Sequence, residues 1–233
     1  MRTSLRTFLS ILRWDIKLQI RYYFWITAAV VSCVWLLLLL ALTEQARALW
    51  IPVLIFADIS NIGLLFIAGI LFLERRQGTI YAAAVMPVSR GVWLAAKLLS
   101  LVLLCTVCAV VIVFFNVESV NWLRMIPAIV LTAALFTSLG FILACPFENI
   151  MNFFLVMALA LGVLNIPLLA YLGIIESPLL WVFPTQASLW LLAGSLQEMS
   201  AVSFYSALLL LLAWLALFHW LGVKAFNRFI KQI

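Results

Sequence analysis

The 233-residue chain is 68% hydrophobic and only 9% charged, where a soluble domain has about a quarter of its residues charged. That leaves too little polar surface to face water, so the composition excludes a soluble protein and indicates an integral membrane protein. The formal net charge of +6 does not mark a nucleic-acid binder, because the cations sit at the ends of hydrophobic runs, where a membrane interface favours them, and not on one solvated face.

Residues 1–21 read as an amphipathic helix. Leu5, Phe8, Leu9, Leu12, Ile16 and Ile20 recur at three- and four-residue steps, with Arg6, Arg13, Lys17 and Arg21 to one side. Such a helix lies in the headgroup layer with its cations toward anionic lipid. The uncharged run at 23–42 is long enough to cross a hydrocarbon core of about 30 Å. No small-residue cleavage site follows it, so it is expected to stay in the membrane. A short loop at 43–49 then leads into a second span at 50–73, which carries Asp58 and Asn61 one turn apart. An ionisable group inside a span is expensive and seldom faces lipid. The pair is therefore a candidate for the translocation path or a helix contact. Asp58 is also about 12 Å by helical rise from the nearer end of this span, close enough to reach interfacial water.

Residues 74–90, ERRQGTIYAAAVMPVSR, are the longest polar interruption between the first spans. Gly78 lets the chain turn, Thr79 can cap a short helix over 79–85, Pro87 ends it, and Ser89 can cap the next span. The third span is read at 91–115, with Lys97 near enough to its start to reach back to the headgroups. The fourth runs over 125–145 with Pro127 in its first turn, and the fifth over 150–172, interrupted by Asn165 and Pro167. Residues 173–200 hold two apolar pieces too short to span, and these are expected to form an outer re-entrant segment covered by protein. A sixth span at 202–223 ends in a basic tail, 224–233.

The remaining chemistry is sparse. Cys33, Cys105, Cys108 and Cys145 lie in or at the end of apolar runs. They lack the spacing of a zinc site and read as small buried hydrophobes. The single histidine, His219, sits at a span end, and neither H-E-x-x-H nor G-x-S-x-G occurs. The chain thus offers no catalytic site, no metal site and no cofactor motif. Of its 14 Lys and Arg residues, only Arg47 and Arg124 fall on one side of the six spans. The positive-inside rule therefore puts both termini and the 74–90 loop in the cytoplasm.

The loop residues Glu74-Arg75-Arg76-Gln77-Gly78-Thr79-Ile80, then Met86-Pro87-Val88-Ser89-Arg90 and Lys97, resemble the loop after the second span of ABC-2 type transporter permeases. Met86 stands where that family commonly has threonine. The six-span plan, the N-terminal helix and the broken outer segment fit the same family over nearly the whole chain. The placement of Asp58 before Glu74 resembles its branch of fluoroquinolone and other drug export permeases. The resemblance implies an all-α transmembrane domain of the type V exporter kind in a bacterial or archaeal inner membrane, with residues 1–21 as connecting helix and 79–85 as coupling helix. Glu74, Arg75, Arg76, Gly78, Thr79, Tyr81, Pro87 and Arg90 would couple to a cytoplasmic ABC ATPase subunit. Asp58, Asn61 and Asn165 would line the path or a helix contact, and a second permease copy or paralogue would complete a dimer among membrane lipids. The chain has no G-x-x-x-x-G-K-[ST] phosphate loop, so ATP would be hydrolysed by a separate subunit. A lipophilic cargo, drug or lipid, is expected. Polysaccharide, haem or peptide export on the same fold, and an anchor or immunity role without transport, are the alternatives.

Overall fold

The computed structural model describes residues 2–80, 88–118, 120–175, 177–196 and 199–231, with the side chains of residues 2–4, 178, 179, 230 and 231 outside the description. Every described element is a helix: α1 Arg2–Arg21, α2 Phe24–Leu40, α3 Glu44–Arg76, α4 Arg90–Asn116, α5 Trp122–Ala144, α6 Ile150–Leu164, α7 Ile166–Tyr171, a 3-10 turn Pro178–Val182, α8 Pro184–Leu196 and α9 Ala201–Lys231. Helices suit this sequence because a helix satisfies its own backbone, and lipid offers no other partner. Five of the described helical stretches are long and apolar enough to cross a membrane: α3, α4, α5, α6 with α7, and α9. The pair α1–α2 passes the same test only when its two helices are taken together across their bend, which would make six.

The bend between α1 and α2 is 67° and centres on Tyr23, whose φ of 62° is left-handed. It lets α1 leave the direction of the spans. Leu5, Leu9 and Ile20 of α1 remain exposed on the protein surface, as expected for a face turned to lipid.

Helix α5 is the hub and packs against α3, α4, α8 and α9. Its contact with α3 depends on two glycines. A Cβ on Gly140 would lie 2.9 Å from Leu64 Cα and 2.6 Å from Ile67 Cγ2, and one on Gly63 would lie 3.0 Å from Phe136 Cβ. Close backbone approach is the usual way for helices to associate where lipid is as apolar as the side chains. Helix α6 is different. Phe153 and Met157 are its buried residues, while Met151, Leu155 and Leu159 face outward.

Two local expectations change. Residues 44–49, read as a loop, are the first turns of α3, because Thr43 takes an extended N-cap conformation and Glu44 follows in the first turn, where a carboxylate suits the helix dipole. Pro127 is not in the first turn. α5 starts at Trp122, so the ring lies beyond the first turn and removes the bond to the carbonyl of Leu123. The outer segment is a 3-10 turn followed by α8, and α8 is buried along nearly its whole length against α3, α5, α7 and α9. Trp214 Nε1 donates to the carbonyl of Val182 at 3.0 Å. With its amide set to satisfy both neighbours, Gln186 donates to the Pro167 carbonyl and accepts from Trp190 Nε1.

Candidate functional site

Where α1, the end of α3 and the start of α4 meet, the polar groups gather. Lys97 of α4 is 1% exposed. Its Nζ donates to Glu74 Oε1 at 2.6 Å and to Asp15 Oδ1 at 3.1 Å. Against the expectation from its position near the start of the span, it does not reach back to the headgroups. Two carboxylates from two other helices hold it inside, and the pairing offsets the cost of burial. One turn on, Gln19, which is fully buried, donates to Ser100 Oγ at 2.8 Å, and that hydroxyl donates to the Lys97 carbonyl at 2.7 Å. Trp93, one turn before Lys97, stacks on Phe226 of α9 at 4.4 Å and lies 5.0 Å from the ammonium. The cluster ties α1, α3 and α4 through charge, with α9 closing over it.

The loop residues that follow divide by exposure. Arg75 donates to the carbonyls of Cys145 and Phe147, across the α5–α6 turn, and stacks over Phe229 at 4.1 Å. Arg76 points outward and is exposed. Gly78 takes a φ of 71°, the left-handed conformation that glycine adopts without penalty just past a helix end. The Thr79 hydroxyl donates to the Glu74 carbonyl at 3.3 Å. Ser89 caps α4 by accepting from Val92 N, and Arg90 donates to Asn227 of α9. Tyr81, Pro87 and most of the short 79–85 helix lie outside the described residues.

Asp58 is fully buried and lies fourteen residues into α3, roughly 21 Å from Glu44 by helical rise. The longer helix and complete burial remove the route to interfacial water. Ser32 of α2 donates to its Oδ2 at 2.9 Å, and Oδ1 has no hydrogen-bond partner among the described residues. Asn61 is half-buried on the next turn. Asn165 is not brought to Asp58: its Nδ2 donates to the Leu161 carbonyl at 2.7 Å, closing the end of α6.

Sequence reasoning missed Asp15, Gln19 and Ser32. Asp15 had a signal. It is the only carboxylate in a helix otherwise charged by arginine and lysine, and it sits with Gln19 one turn apart beside the apolar stripe. Ser32 had none, since a serine in an apolar span looks like filler.

Comparison with known proteins agrees with this architecture. A family described as the fluoroquinolones export permease protein family matches residues 6–232. Two proteins named fluoroquinolones export permease protein, from Mycobacterium tuberculosis strains CDC 1551 / Oshkosh and ATCC 25618 / H37Rv, are each 31% identical over 191 residues, 81% of this chain and 81% of theirs. The resemblance of the 74–90 loop to ABC-2 type permeases, and of the placement of Asp58 to their drug-export branch, fits the same assignment. This multi-pass membrane chain belongs to the fluoroquinolones export permease protein family.

Proposed function

We propose that the chain is the permease subunit of an ATP-driven exporter of lipophilic drugs, fluoroquinolones among them, and that it works as a dimer with a separate ATPase subunit. The observation that carries the coupling part is the Asp15–Lys97–Glu74 cluster. It fastens α1 and two spans together at the root of the 74–90 loop, so a push on that loop moves three helices as one body. In this reading Arg76 and the segment carrying Tyr81 and Pro87 meet the ATPase, while Glu74, Arg75, Gly78, Thr79 and Arg90 keep the loop's root in shape. The cation distribution supports a cytoplasmic position for that loop and both termini. Buried Asp58, shared between α2 and α3, supports a role in the movement of these helices or in the path beside them.

The test is purification of the tagged chain in mild detergent, identification of co-purifying subunits, and ATP hydrolysis by the complex in liposomes across a panel of drugs and lipids. An ATPase that co-purifies and is stimulated by fluoroquinolones supports the proposal. A folded chain that recovers no ATPase overturns it.

A further inference from the structure

A cavity of about 700 Å³ opens between α1 and the bundle, beside the ion cluster. Its size falls within the few hundred to roughly a thousand Å³ typical of small-molecule sites. Its wall is mostly apolar, with Trp14, Trp93, Ile11 and Leu18 offering flat and aliphatic surface. The polar groups stand on two sides. On one are Asp15 and Glu74, each with a buried carboxylate oxygen (Oδ2 and Oε2) that has no hydrogen-bond partner among the described residues. On the other are Lys17 and Arg21, which also line the cavity and are exposed. On the deep side two carboxyl groups share the single Lys97 ammonium.

We propose that this cavity is the loading site for cargo, and that it takes a flat aromatic zwitterion with a protonated amine at one end and a carboxylate at the other. The amine is drawn to Asp15 and Glu74, the carboxylate to Lys17 and Arg21, and the ring system lies against Trp14 and Trp93. Each end meets a charge of opposite sign, where charge-assisted hydrogen bonds are strongest. The apolar wall takes the flat body. An anionic lipid would bring a phosphate to the same rim, but it would leave the carboxylate side without a cation. The inference rests on the drug-export reading and gives it a place in the fold.

The experiment uses the full chain in nanodiscs of neutral lipid, with ciprofloxacin as the zwitterion and its own fluorescence as the readout. The double variant Lys17→Gln with Arg21→Gln alters exposed side chains and spares the fold. It should raise the Kd for ciprofloxacin about tenfold and leave the Kd of its methyl ester, which lacks the carboxylate, unchanged. Trp14→Ala should weaken both ligands, and acetylating the amine should weaken binding to the unaltered chain. If the zwitterion binds the double variant and Trp14→Ala as tightly as the unaltered chain, cargo loads elsewhere and the inference fails, while the export reading stands. If the cavity instead retains phosphatidylglycerol and ciprofloxacin does not bind in neutral lipid, the site is a lipid pocket and the inference fails. Binding as expected without drug-stimulated ATP hydrolysis would overturn the export reading alone.

Discussion

Lys97 answers to two carboxylates on two different helices, so its loss is felt twice. Lys97→Met leaves Asp15 and Glu74 buried without a cation, at a cost of about 3–5 kcal/mol. The unfolding midpoint in detergent should fall accordingly. Replacing all three together, with Asp15→Asn and Glu74→Gln added, removes the uncompensated charge and should restore most of the loss. A single variant as stable as the original would mean the cluster does not hold α1 to the bundle. Asp58 calls for the opposite result. Asn keeps a side-chain oxygen for the Ser32 hydroxyl but removes the charge. Asp58→Asn should therefore leave expression and unfolding near normal and lower the rate of drug transport in proteoliposomes. Unchanged transport would reduce Asp58 to a link between α2 and α3.

At the scale of elements, the α3–α5 seam and the loop root make separable predictions. Gly140→Ala drives a Cβ into the backbone of α3 and should cost about 1–3 kcal/mol through overpacking. Gly162→Ala on α6 meets nothing within 4 Å and should instead gain up to about 1 kcal/mol from helix propensity. Unfolding midpoints that move together for the two would show that the seam is not tight. In the loop, Arg75→Glu breaks the clamp on the Cys145 and Phe147 carbonyls and should destabilise the fold. Arg76→Glu alters an exposed side chain and should leave stability unchanged while weakening co-purification of the ATPase. Stable Arg76→Glu protein that still recovers its ATPase in full would remove Arg76 from the interface. Hydropathy was enough to read α4 and α5 as spans, and Ser89 was legible as a cap because capping depends on residues three apart. The long α3 was less so: its first turns at residues 44–49 carry Glu44 and Arg47, and a helix end with charges reads like a loop. Lys97 was misread because its partners lie 82 and 23 residues away, a separation that no local pattern spans. Arg75 and Arg76 are adjacent and alike in sequence, and only the turn at Cys145–Phe147 tells them apart.

The whole molecule is asymmetric in charge. Arg47 and Arg124 are the two cations at one end of the bundle, and each serves that end's backbone: Arg47 donates to the Leu39 and Leu42 carbonyls, Arg124 to that of Met199. The other twelve of the 14 cations fall in α1, at the 74–90 loop and the start of α4, and in the last turns of α9. During insertion, lysines and arginines near short loops are held back on the cytoplasmic side, so the orientation expected from this distribution has α1, the 74–90 loop and the tail inside. Two reporters read it. Leu123 at the first end is 89% exposed, and Gln77 at the basic end is also exposed. Cys33→Ser removes the exposed native cysteine, the other three being buried. In that background, Leu123→Cys should react with a membrane-impermeant maleimide added to intact cells, and Gln77→Cys only after the membrane is permeabilised. The reverse pattern would put the 74–90 loop outside, out of reach of any ATP-hydrolysing subunit, and would undo the coupling role of the Lys97 cluster with it.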